Sequence, residues 1–272
     1  GSGKTTLARL LLGSHVPSDG RMLYRGKDYT KLTRREKRNF RREIQPIFQD
    51  PFESYNPFYK VDHVLDAPIK NFKLASSDAE KKRMIEDALE MVGLLPEETL
   101  GRFPHQLSGG QRQRIVLARA LVLRPKIIIA DEPVSMLDVS IRAEVLDLMK
   151  NIQKKNNISF IYITHDLATA RYFGQRIIIL YLGKIMEFGS IDRVLLEPRH
   201  PYTQALIDAI SEPDPDNLYK EKTIRINDPL DIDFYSGCRF LARCPYAIKK
   251  CKNVPMLETR DGRNVACFVD IG

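Results

Sequence analysis

The stretch Leu107-Ser108-Gly109-Gly110-Gln111, followed sixteen positions later by Ile127-Ile128-Ile129-Ala130-Asp131-Glu132, constrains this chain more than any other feature. The first segment sets a serine and two glycines ahead of a basic amphipathic helix expected over residues 111–123. Unpaired backbone N–H groups at such a helix start, together with the positive end of its dipole, form an anion site. The second is a short apolar run ending in two adjacent carboxylates. It reads as a buried strand that delivers acids to its carboxyl edge.

The chain opens on Gly1-Ser2-Gly3-Lys4-Thr5-Thr6, and a helical run is expected over residues 7–12. This matches the second half of a phosphate-binding loop, G-x-x-x-x-G-K-[ST], in which backbone N–H groups cradle phosphates. Lys4 would neutralise the β- and γ-phosphates, and the Thr5 hydroxyl would hold Mg²⁺. Half a loop is a weak signal alone. It gains weight from Asp131-Glu132, because Mg²⁺ on ATP needs a hard carboxylate opposite the threonine. With no initiator methionine, and without the first glycine of the loop or a strand to feed it, the chain reads as a fragment of a longer protein.

Three more polar residues stand at expected strand or helix ends. Gln49 follows the apolar stretch 44–48, where a strand gives way to a loop. His165 ends the strand-like stretch 158–164, and Asp138 lies just past the paired carboxylates. Each also has a purely structural reading: a surface amide, a satisfied strand-end histidine, a helix N-cap.

At 272 residues, a main α/β domain with an appendage is the natural expectation. No run approaches the roughly 18 consecutive apolar residues that span a bilayer. The formal net charge of +8, from 43 Lys and Arg against 35 Asp and Glu, would suit nucleic acid or an anionic membrane face. The densest basic stretch, residues 31–43, holds seven Lys or Arg and two Glu. Phe40 is its only aromatic residue, which argues for a solvated helix face over a base-stacking arm.

Residues 21–24 with a turn at Gly26 look like part of a small antiparallel sheet, and residues 62–93 read as helical. Ala88, Leu89, Val92 and Leu95 supply an apolar stripe there. Strands are expected at 127–130, 158–164 and 176–181, with a helix over 141–153 and a hairpin arm over 183–189. Strand–helix alternation of this kind predicts a parallel sheet covered by helices.

Past Ser190 the pattern changes. His200-Pro201-Tyr202-Thr203 opens a short helix reaching residue 210, and a polar, proline-containing linker follows over 211–216. The four cysteines then fall together as Cys238, Cys244, Cys251 and Cys267, separated by five, six and fifteen residues. In a reducing compartment such clustering points to metal more than to disulfides. Close C-x₂₋₄-C pairs typical of structural zinc are absent, and the looser spacing fits an iron–sulfur cluster better. Zinc, free thiols and a disulfide stay open as alternatives.

Together and in this order, the phosphate loop, Gln49, Leu107-Ser108-Gly109-Gly110-Gln111, Asp131-Glu132, Asp138 and His165 resemble the ATPase subunits of ABC transporters, over residues 1 to about 190. Gly237-Cys238-Arg239-Phe240, Arg243-Cys244-Pro245-Tyr246, Cys251 and Val265-Ala266-Cys267 resemble the C-terminal extension of ATPases from oligopeptide and dipeptide importers, which in related subunits carries a [4Fe–4S] cluster. Phe48-Gln49-Asp50-Pro51 and the stretch from Glu132 to Ile141 look most like the second of the two ATPases in those importers. Two departures stand out: Met136 in place of the usual alanine, and Phe52-Glu53-Ser54-Tyr55-Asn56-Pro57 in place of a Ser-Leu-Asn-Pro ending.

The resemblance implies an α/β fold: a P-loop, RecA-like ATPase core over 1–190, a helical signature subdomain over about 55–115, and a small cysteine-rich extension over 191–272. It implies ATP and Mg²⁺ as ligands, with two ATPases paired head to tail and each ATP between one phosphate loop and the other subunit's signature. The implied nucleotide-binding residues are Gly1, Ser2, Gly3, Lys4, Thr5, Thr6, Ser108, Gly109, Gly110, Gln111 and Asp138. Asp131, Thr5 and Gln49 would hold or sense Mg²⁺, Glu132 would deprotonate the attacking water, and His165 would contact the γ-phosphate. The cluster would sit on Cys238, Cys244, Cys251 and Cys267. Implied partners are a sister or identical ATPase, two membrane-spanning permeases and, indirectly, an extracytoplasmic solute-binding protein, at the cytoplasmic face of the membrane. No nucleic acid is expected. The alternative is a DNA-repair or chromosome-organising ATPase of the same class. Those chains usually separate loop and signature by a long coiled coil or an inserted zinc module, whereas here only residues 5–107 intervene, without sustained heptads.

Overall fold

The computed structural model describes residues 2–50, 55–210, 226–227 and 236–271. Gly1, Phe52, Glu53, Ser54 and the 211–216 linker singled out above lie outside the described residues. The chain divides into two compact units, one of residues 5–165 and one of residues 2–4 with 166–271.

In the first unit, helix α1 (Lys4–Leu11) leads to a two-residue hairpin, β1 (Leu23–Tyr24) and β2 (Lys27–Asp28), and then α2 (Arg34–Glu43) and β3 (Ile44–Ile47). The helices α3 (Val61–Phe72), α4 (Asp78–Met91), α5 (Pro96–Thr99) and α6 (Gly109–Leu121) follow. Strand β4 (Ile127–Asp131), α7 (Val139–Asn156) and β5 (Ser159–Ile163) complete it. Strands β3, β4 and β5 form a parallel sheet in that order. Parallel strands are buried on both faces, which explains the unbroken isoleucine run of β4. Ala8 of α1 packs with Ile129 and Ile163, flanked by Leu11, Leu12 and Ile127.

Helix starts follow local chemistry. Helix α6 begins at Gly109, two residues before the expected start. Ser108 caps it: its hydroxyl accepts from Gln111 N–H, and Gln111 Oε1 accepts from Ser108 N–H at 2.9 Å. Helix α1 likewise begins at Lys4, three residues before the predicted run. The apolar stripe needs one correction. Ala88, Leu89 and Val92 are buried, but Leu95 is exposed, because Gly93 at φ +69° ends the helical path before it.

In the second unit, α8 (Leu167–Phe173), β6 (Arg176–Tyr181), β7 (Lys184–Ser190), α9 (Ile191–Leu196) and α10 (Pro201–Asp208) are followed by a short hairpin, β8 (Glu258–Arg260) and β9 (Arg263–Val265). They build an antiparallel sheet in the order β6-β7-β9-β8. Strand β6 is therefore not part of the parallel sheet that strand–helix alternation predicted. Leu182 at φ +45° and Gly183 at φ +76° turn the chain straight back, so β6 pairs with β7 without a crossover. Ile179, Met186 and Val194 form the core between this sheet and α9. Glu187 on β7 and Arg263 on β9 are both fully buried, 3.8 Å apart, and Arg263 also donates to the Arg193 carbonyl at 2.8 Å.

Candidate active site

Register alone gathers the site of the first unit. Ile47 pairs with Ala130, and Ala130 with Tyr162. Gln49 and Glu132 each lie two residues beyond those partners, and His165 three beyond, so all emerge at the carboxyl edge of one parallel sheet. Asp131 is the last residue of β4, beside Ile163. Gln49 is exposed in the loop after β3.

Glu132 has a left-handed backbone, uncommon for a residue with a Cβ. Its φ is +48°, held because its N–H donates to the Ile163 carbonyl at 2.8 Å and its own carbonyl accepts from the Ser135 hydroxyl at 3.0 Å. Left-handed backbone in a residue with a Cβ costs of order 1–3 kcal/mol and clusters at functional sites. The turn aims the carboxylate at His165, whose Nδ1 lies 2.9 Å from Glu132 Oε1. A carboxylate only accepts, so Nδ1 is the donor in this pair. The Glu132 side chain is 15% exposed and that of His165 is 66% exposed, which leaves the imidazole facing outward.

The glycines of the signature stretch have separate tasks. A Cβ on Gly110 would lie 2.7 Å from Ile141 Cγ2 on α7, whereas one on Gly109 would lie 3.5 Å from Leu137 in ordinary contact. Gly110 therefore lets α6 approach α7, and Arg114 secures the same pair through Glu144 at 2.9 Å. Asp138 is the N-cap of α7, yet its side chain makes no capping hydrogen bond. Met136 and Val139 beside it are strongly exposed. Thr5 and Thr6 occupy the first turn of α1 and are exposed.

In the second unit, Gly3 has φ +93°, Lys4 Nζ is 3.4 Å from the Ser2 hydroxyl, and the Ser2 carbonyl accepts from Gly183 N–H at 3.0 Å. The same unit holds the cysteines. Cys238, Cys244, Cys251 and Cys267 are buried, unpaired, and line one pocket with His200, Phe240, Leu241 and Phe268. Gly237 shapes it: φ is +70°, and a Cβ there would strike the Cys251 carbonyl at 2.5 Å. Burial raises the thiols of Cys238, Cys244 and Cys267, that of Cys244 to about 11. Against this, backbone N–H groups two residues on act on the sulfurs in a repeated pattern: Phe240 on Cys238, Tyr246 on Cys244, Val269 on Cys267. The last of these donates to Sγ at 3.4 Å.

No group of three or more His, Cys, Asp or Glu among the described residues is arranged to hold a metal ion. Sequence reasoning brought the four cysteines together but missed His200, read only as the start of a helix. Its position before Pro201 marks the N-cap, and nothing local shows that the ring faces a pocket built some forty to seventy residues downstream. Tyr55 was missed in the same way: it is buried, and its hydroxyl donates to the Arg112 carbonyl of α6 at 2.7 Å.

Comparison with known proteins agrees with this architecture. Residues 1–135 match the family described as ABC transporter, and residues 186–251 the family described as oligopeptide/dipeptide transporter, C-terminal region. The chain is 42% identical over 271 residues to a probable peptide ABC transporter ATP-binding protein of Sinorhizobium fredii, covering 99% of this chain and 76% of that one. It is 42% identical to the oligopeptide transport ATP-binding protein OppF of Escherichia coli K12, covering 98% and 81%. Among solved structures it resembles a dimeric post-hydrolysis ATP-binding cassette bound to ADP and Pi, with a TM-score of 0.61 and 30% identity over 70% of this chain and 81% of that one. A part of the ABC transporter complex cbiONQ, cbiO1 of Clostridium perfringens, gives a TM-score of 0.63 at 28% identity over 72% and 76%. The chain thus belongs to the ATP-hydrolysing subunits of ABC transporters, in the group that carries the oligopeptide/dipeptide transporter C-terminal region.

Proposed function

We propose that this subunit powers the import of peptides, with ATP hydrolysis carried out at the carboxyl edge of the β3-β4-β5 sheet. The observation that carries the reading is the left-handed Glu132 turned onto His165 at 2.9 Å. Glu132 accepts a proton from the attacking water, a task that needs a carboxylate within hydrogen-bond reach. His165 donates through Nδ1 to Glu132, and its Nε2 contacts the γ-phosphate and the partner chain. Asp131 and Thr5 hold Mg²⁺, Gln49 senses it, and Lys4 neutralises phosphate charge. Ser2, Gly3 and Thr6, with Gly1, supply the cradle for the phosphates. The start of α6, at Ser108, Gly109, Gly110 and Gln111, with Ser108 and Gln111 exposed, caps the nucleotide of a second ATPase. Asp138, free of capping duty, lies beside it with the exposed Met136 and Val139. Two permeases receive the stroke at the membrane's cytoplasmic face, and an external binding protein delivers the peptide.

The four thiols hold a [4Fe–4S] cluster in this reading. The donor set fits: four unpaired cysteines line one buried pocket, and three of them are met by backbone N–H groups that favour thiolate over thiol. Such a cluster supplies structural cross-linking and electron storage when bound.

Glu132→Gln tests the first part. It should retain ATP binding and lose about 10²–10⁴-fold in hydrolysis, accumulating a closed ATP-bound dimer on gel filtration. Near-normal turnover would place the base elsewhere. Iron and sulfide analysis after anaerobic purification tests the second: about four irons per chain are expected, and zinc without iron would overturn the cluster.

A further inference from the structure

His200 lines the cysteine pocket with a buried donor that no well-formed hydrogen bond satisfies. The residue is 1% exposed and caps α10: its Nδ1 accepts from Tyr202 N–H at 3.0 Å. An acceptor nitrogen in a neutral ring carries no proton, so the proton is on Nε2. Nε2 is buried and makes no hydrogen bond. Burial lowers the ring's pKa to about 4, and a poorly aligned backbone hydrogen bond toward the Ala266 carbonyl opposes this without satisfying Nε2. The ring lines the same pocket as the four sulfurs.

The ring is also held in place. His200 N–H donates to Glu187 Oε2 at 3.0 Å, and the same carboxylate accepts from Arg199 N–H at 3.1 and 3.2 Å. Arg263, buried at 3.8 Å, balances that charge.

We propose that His200 is a positioning residue that donates its Nε2–H to a sulfur in this pocket and thereby raises the reduction potential of the centre the cysteines hold. The inference rests on the cluster reading above. A hydrogen bond to sulfur stabilises the more negative, reduced form, and such bonds are among the factors that set cluster potentials. His200 is thus predicted to control when the centre is reduced, without binding iron itself.

His200→Asn isolates the effect, because Asn is a good N-cap whose Oδ1 can still accept from Tyr202 N–H, while its Nδ2–H₂ is too short to stand where the Nε2–H stood. The experiment uses the anaerobically purified full chain, with iron analysis, redox titration, and pulsed EPR of the reduced protein labelled with ¹⁵N-histidine. The chain has five histidines, of which His200 alone among the described residues lines the pocket. The variant should keep its iron and be about tenfold harder to reduce, a potential lower by about 59 mV for one electron. The native protein should show a nitrogen coupling that the variant lacks. An unchanged potential with no coupling in the native protein would overturn the proposal and leave Nε2 to the Ala266 carbonyl. If the variant loses its cluster, the native coupling decides alone: present, it supports the donor, and absent, it overturns it. No iron in the native protein overturns the cluster reading first, a result distinguishable from both.

Discussion

Gly110 and Glu132 show how one residue type can serve chemistry and packing together. Gly110 was legible as part of an anion-binding helix start, but its approach to Ile141 was not, because the contact depends on how α6 meets α7. Gly110→Ala should gain helix propensity yet lose about 1–3 kcal/mol by overpacking. Thermal denaturation would measure it, and adding Ile141→Ala, which removes the obstructing Cγ2, should recover part of the loss. An additive double mutant would show that the contact does not limit stability. Glu132 was legible as an acid at a strand end, whereas its left-handed backbone was not: no local sequence rule places φ +48° on a glutamate. That conformation comes from the β5 carbonyl above it, a long-range cause.

Among the elements, the parallel sheet and its helices could be read from isoleucine runs and periodicity, and errors gathered at ends. Helix starts moved to capping residues, and β6 changed sheet because a two-residue turn overrides an alternation rule. Ser108→Ala should therefore weaken the start of α6 by about 1 kcal/mol in stability and fray Gly109 and Gly110, which amide hydrogen exchange would detect. Helix α2 offers a pH test. The Lys27 hydrogen bond, then those from Thr33 backbone and side chain, hold the Glu36 carboxyl down to about 2. Since the folded value lies below the ordinary one, this cap is fully present above about pH 4.5 and is lost as pH falls toward 2. A ¹³C titration of the Glu36 carboxyl should follow that course, and a midpoint near 4.5 would refute it. The basic stretch around this helix is also partly employed: Arg38 donates to the Asn71 carbonyl at 2.7 Å and Lys27 meets Glu36.

For the molecule as a whole, motif order was enough to recognise the ABC ATPase family, because phosphate, Mg²⁺ and water chemistry each demand a residue type at a strand or helix end. The four cysteines were legible as a group, and the fold brings them to one pocket, but its far wall was not: His200 reaches it from the start of α10, some forty to seventy residues away in sequence. Strand β7 lies between β6 and β9, so the last part of the chain seals an edge of the sheet laid down some eighty residues earlier. Anyone trimming the chain ahead of Met256, in search of a minimal ATPase, would bare that edge and strand Glu187 in the interior without Arg263. An unpaired strand edge invites pairing with a neighbour, and a buried carboxylate without its cation typically costs about 3–5 kcal/mol. Such shortened proteins should come out of the cell as aggregates, and the shear loss of the tail, rather than any fault in nucleotide chemistry, would be the reason.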